Sequence, residues 1–190
     1  MKKIIRPVLV LFFALTLLTG ILYPLVVTGL GQWLFPAQAH GSLVVRDGKA
    51  VGSLLVGQNF TEPKHFWGRP SATAPVPNNA AASGGSNLGP LNPALVDAVK
   101  GRLEALRAAD PTNAAPVPNE LVTASASGLD PHISRAAAQF QVARVARVRN
   151  LAVDKVQALV VQNTQRPFLG VMGESVVNVL QLNLALETLR

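Results

Sequence analysis

VLVLFFALTLLTGILYPLVVTGL, residues 8–30, decides the architecture of this chain. All of it is apolar except Thr16, Thr19, Gly20, Pro24, Thr28 and Gly29, and no Asp, Glu, Lys or Arg occurs from Pro7 to Val45. As an α-helix the stretch reaches roughly 34 Å, enough to cross a hydrocarbon core of about 30 Å. Tyr23 and Trp33 lie toward its far end, where amphipathic rings favour the interface. The stretch reads as a single membrane span. A basic start (Lys2, Lys3, Arg6) and Ala37-Gln38-Ala39 imitate a cleavable signal peptide, but a signal's apolar region of about 7–15 residues is shorter than this run. By the positive-inside rule the basic end stays in the cytoplasm. Residues 1–33 are therefore expected to be a cytoplasmic N-terminus and transmembrane helix, and residues 34–190 an extracytoplasmic soluble domain.

The remaining composition fits that division. The 190 residues carry a formal charge of +7 and no cysteine, which excludes disulfide frameworks, thiolate metal sites and cysteine nucleophiles. Without the three N-terminal cations, 14 Lys and Arg face 10 Asp and Glu, and no long cationic run remains. The charge is mainly a topology signal, and nucleic acid is not expected as a partner. Along the span, Thr16, Gly20, Pro24 and Thr28 recur every four residues. Small residues let helices approach closely in lipid, so this side is a candidate subunit interface in the membrane.

Beyond the span, Ser42–Arg46 and Lys49–Val56 read as two strands joined by an Asp47-Gly48 turn. Residues 57–92 show no hydrophobic period but carry Phe60, Phe66 and Trp67. Asn92-Pro93 opens a helix with Leu95, Val99, Leu103 and Leu106 on its apolar stripe, and Asp110-Pro111 ends it. Ser134 caps a helix over residues 135–149, and a further helix is expected over 153–163. Val176–Leu182 reads as a strand before a short terminal helix. The expected class is α+β: one N-terminal transmembrane helix followed by a small α+β domain.

No catalytic constellation emerges. Ser83-Gly-Gly-Ser-Asn87 lacks the lysine of a phosphate loop and reads as a tight turn. Ser125, Ser127, Asp130 and His132 crowd one short segment without a nucleophile elbow, and a third metal ligand is missing. Residues 141–160 imitate a helix-turn-helix, but the would-be recognition helix carries Asp154 and a single lysine. What remains is a proline-held loop with Gln58, Phe60, Phe66, Trp67, Arg69, Ser71 and Thr73, joined by Ser86 and Asn87 of the glycine-rich loop. Aromatics beside arginine make a candidate contact surface; capping of the domain's own core is the other reading.

These stretches also carry a family resemblance. Gly52–Phe60 (GSLLVGQNF), Gly68–Thr73 (GRPSAT), Ala82–Leu88 (ASGGSNL), Leu121–Asp130 (LVTASASGLD), the tail Val177–Leu186 and the Tyr23-Pro24 and Gln32-Trp33 pairs resemble the C subunit of the bacterial Kdp-type potassium-transporting ATPase. The resemblance implies a non-catalytic, single-pass accessory subunit of an ATP-driven potassium importer in the bacterial inner membrane. It implies two larger partners, a channel-like potassium-translocating subunit and a P-type ATPase subunit, which handle the potassium. An alternative within the family is a catalytic chaperone that raises the ATP affinity of the ATPase subunit. The expected topology separates the domain from cytoplasmic ATP, so no directly bound cofactor is expected and any ATP effect would be indirect.

Overall fold

The computed structural model describes residues 2–189 and divides into two compact units, Met1–Leu43 and Val44–Arg190. In the first, α1 (Lys2–Leu17), a π-turn (Leu18–Leu22) and α2 (Tyr23–Leu34) form one continuous apolar helix, followed by the single turn α3 (Pro36–Ala39). Residues Lys3–Leu34 are long and apolar enough to cross a membrane. Pro24 explains the π-turn. Proline lacks an N–H and its ring crowds the carbonyl four residues back, which is Gly20. The turn ahead of it widens, and the Tyr23 N–H donates to the Leu18 carbonyl, five residues back. Thr16, Gly20, Pro24 and Thr28 are all exposed.

The second unit is α+β. Strands β1 (Leu43–Arg46) and β2 (Lys49–Ser53) form the hairpin expected at Asp47-Gly48, both of which take positive φ. Helix α4 (Pro93–Ala109) starts where Asn92 accepts a bond from the Ala94 N–H and ends at Asp110. Strands β3 (His132–Ser134), β4 (Thr164–Gln165) and β5 (Val176–Asn178) form an antiparallel sheet in the order β3-β5-β4, with Ile133 opposite Val177. Helices α5 (Arg135–Arg149), α6 (Val153–Gln162) and α7 (Val179–Thr188) pack in sequence. Ser134 caps α5 by accepting from Ala137, and Asn150, left-handed at φ 55°, ends it.

The tail differs from the sequence expectation. The strand stops at Asn178 rather than Leu182, because the Asn178 side chain accepts from the Gln181 N–H and starts α7. The core lies between these helices and the sheet. Ile133, Ala137, Val142, Val145, Val156, Val160, Val177, Leu182 and Leu186 are all at most 2% exposed. Phe66 joins them from the long loop.

Candidate functional site

Residues 57–92 form no helix or strand, yet buried polar side chains and cross-loop bonds fix them in place. Three polar residues project from helices into the core side of the loop. Asn183 of α7 accepts from the Phe66 N–H (2.8 Å) and donates to the Phe66 carbonyl (3.0 Å). Gln141 of α5 does the same one residue on, accepting from the Trp67 N–H (2.7 Å) and donating to the Trp67 carbonyl (3.1 Å). Each amide therefore supplies what a neighbouring strand would otherwise supply to buried backbone. Arg144, one turn after Gln141, donates to the carbonyls of Pro63 and His65 and to Gln141 Oε1. Its guanidinium lies 4.5 Å from the Trp67 ring centroid, a cation–π stack. Burial lowers the Arg144 pKa to about 10, with the charge of Asp110 opposing and that of Arg147 adding, so the group stays cationic near neutrality.

The family-like motifs meet on the other side of the loop. Arg69 pairs with Asp130 (3.1 Å), whose second oxygen accepts from the His132 N–H. Ser71 donates to the Gly128 carbonyl (2.7 Å) and accepts from Asn78, while Thr73 accepts from Asn79. Gly84 N–H and Ser83 Oγ both donate to the Ser127 carbonyl, and Gly57 N–H donates to Leu129. Gly128 sits at φ +69°, where a Cβ would come 2.5 Å from Thr73 Cγ2 and 2.7 Å from the Gly84 oxygen. The GQNF, GRPSAT, SGGSN and SASGLD stretches are thus one hydrogen-bonded knot.

This placement sorts the expected contact residues. Phe66 is 0% exposed and belongs to the core, which corrects its assignment to a contact surface. Phe60 and Trp67 are half-buried against the same core. Gln58, Phe60, Trp67 and Arg69 do come together, with Arg102 of α4, around a groove of about 310 Å³. Arg69 pairs with Asp130, and Ser71 and Thr73 bond within the knot, whereas Ser86 and Asn87 stay exposed. Gln141, Arg144 and Asn183 were not singled out from sequence. The available signal was polar residues in phase with a buried helical stripe, Gln141 and Arg144 lying in line with Ala137, Ala138 and Val145.

The other constellations dissolve. Ser127 Oγ accepts from the Leu129 N–H, and Ser125 is buried with its N–H on the Pro70 carbonyl. Among the described residues no group of three or more His, Asp or Glu could hold a metal. In the helix-turn-helix look-alike, Arg144 faces the interior and Arg147 pairs with Asp110 at 2.8 Å, so α5 does not present a row of arginines to a phosphate backbone.

His65 gives the loop a pH dependence. Burial lowers its pKa below 6.5, the charge of Lys64 adds to that, and Glu62 opposes it. A base with a depressed folded pKa contributes fully above its unfolded value and loses that contribution as pH falls through about 6.5. The urea midpoint of the domain is therefore expected to drop between pH 7.5 and 5, and His65→Gln should make the drop shallower. An unchanged pH profile in the variant would contradict this.

The same loops anchor the comparison with known proteins. The chain is 72% identical over 190 residues to a "Potassium-transporting ATPase KdpC subunit" of Polaromonas naphthalenivorans, covering 100% of this chain and 97% of that protein. It is 68% identical over 187 residues to the protein of that name from Variovorax paradoxus (98% and 97% covered) and 63% identical to that from Ralstonia nicotianae (98% and 92%). The family description "K+-transporting ATPase, c chain" matches residues 5–188. The chain belongs to the KdpC family, the non-catalytic c chain of the K+-transporting ATPase.

Proposed function

We propose that this chain is the accessory subunit through which a potassium-importing ATPase complex of the bacterial inner membrane assembles and stays active. Its helix docks on the larger subunits through the Thr16/Gly20/Pro24/Thr28 side. The N-terminus lies in the cytoplasm, as Lys2, Lys3 and Arg6 favour, and the compact domain lies outside. There it sits on the mouth of the channel-like subunit, with the exposed Ser86 and Asn87 and the Gln58–Phe60 rim of the groove as contacts. On this topology the domain does not meet ATP directly, and any effect on ATP affinity at the P-type ATPase subunit passes through assembly.

The observation that carries the docking is the open face of the helix. Among the described residues, a Cβ added at Gly20 would meet nothing within 4 Å outside the helix's own backbone, so no packing contact seen within the chain calls for glycine there. In lipid, a close helix–helix contact does. Gly20→Leu is accordingly expected to leave membrane insertion intact and to reduce co-purification of the larger subunits several-fold. Wild-type recovery of the complex would sink the docking face.

A further inference from the structure

The turn between β4 and β5 carries the most exposed apolar cluster of the compact domain. Phe168, Leu169, Val171 and Met172 are 69%, 77%, 82% and 62% exposed. The tip is nonetheless built. Phe168 and Met172 exchange both backbone bonds at 3.0 Å, and the Gly170 N–H donates to the Pro167 carbonyl. Leu169 sits at φ +54°, a left-handed conformation that a leucine adopts only under constraint. The hairpin therefore holds large apolar side chains outward, at some backbone strain, where folding of this domain gains nothing from them. Clusters of this kind mark surfaces that something else covers.

We propose that this finger dips into the lipid interface of the membrane that the same chain spans. The proposal rests on the membrane-spanning reading of residues 8–30. Three features favour lipid over a protein groove. First, the tip is a projecting hairpin with four unlike apolar side chains, and a fluid apolar phase needs no matching shape. Second, exposed Arg166 and Glu174 flank it, a charged collar suited to headgroups around an apolar tip. Third, only residues 35–42 separate the long helix from β1, and fully extended they reach no more than about 29 Å. A bilayer is thus always within a short reach of the domain, at high effective concentration.

The absence of cysteine makes the test direct. Val171→Cys, labelled with an environment-sensitive fluorophore, is prepared in the full chain, in vesicles of phosphatidylcholine and phosphatidylglycerol. The same label at exposed Gln157→Cys on α6 serves as the control. The expected result is blue-shifted emission at position 171, most of which is lost when nitroxide-labelled lipid is added, with neither effect at position 157. The pattern should persist in membranes that contain the other subunits. Water-like, unquenched emission at position 171 would overturn the proposal. So would blue-shifted emission that lipid nitroxide leaves unquenched in the assembled complex, which would make a protein the occupant. Release of the unlabelled chain by alkaline carbonate would instead refute the span, and the lipid finger with it.

Discussion

Arg144→Ala is expected to destabilise the compact domain by about 4 kcal/mol and to lower its urea midpoint by about 2 M. The substitution removes a cation that is 2% exposed and whose donors reach the carbonyls of Pro63 and His65 and the Gln141 amide. The Pro63 and His65 carbonyls would lose their shared donor, Gln141 Oε1 would keep only the Trp67 N–H, and the Trp67 ring would lose the guanidinium on which it stacks. Trp33 lies in the other unit, so Trp67 is the only tryptophan of the compact domain and reports the change directly. Its emission should shift to the red in native buffer, before any global unfolding. Arg144→Lys should recover only part of the loss, because an ammonium lacks the planar fork and the stacking face. A midpoint within the error of wild type for the alanine variant would show that the clamp contributes nothing.

Gly128→Val should cost about 3 kcal/mol or more, through the knot rather than the clamp. The new side chain would combine an unfavourable positive φ with contacts inside van der Waals range of Thr73 and the Gly84 carbonyl. Relief requires the GRPSAT and SGGSN stretches to separate, so the damage should appear as faster amide exchange across residues 71–87. Gly89→Ala makes the matching control, since a Cβ there meets nothing within 4 Å. It should stay within about 0.5 kcal/mol of wild type. Equal thermal midpoints for the two variants would refute the knot.

These two expectations also show where sequence reasoning was strong and where it stopped. Local signals with one physical meaning were legible: an uninterrupted apolar run, Asp47-Gly48 between strands, Asn92-Pro93 and Ser134 at helix starts. The β3 and β4 strands, at three and two residues, are too short to carry a period. At the tail, valines at 176, 177 and 179 favour extended chain, and only the Asn178 cap bond turns the segment into a helix. In the long loop the aromatics are legible in the sequence, whereas the polar side chains that hold its backbone lie on helices far away in the chain. Arginine and glutamine on a helix ordinarily face water, whereas Gln141 and Arg144 turn inward to serve backbone groups that themselves have no secondary structure. Residue type indicates what a side chain can bond; which unpaired carbonyl lies nearby depends on how a segment about 80 residues away is folded.

The π-turn before Pro24 has a consequence for the shape of the membrane face. In an ideal α-helix each residue advances about 100°, so residues four apart drift about 40° around the axis at every step. A stripe spaced like Thr16, Gly20, Pro24 and Thr28 would then wind about 120° around the cylinder and could not meet one straight neighbour along its whole length. A turn closed by five-residue bonds, at roughly 4.4 residues per turn, advances less per residue, and because Leu18–Leu22 straddles Gly20 it cancels most of the drift in both the Thr16–Gly20 and the Gly20–Pro24 steps. The proline that distorts the helix thereby brings its small residues closer to a single line.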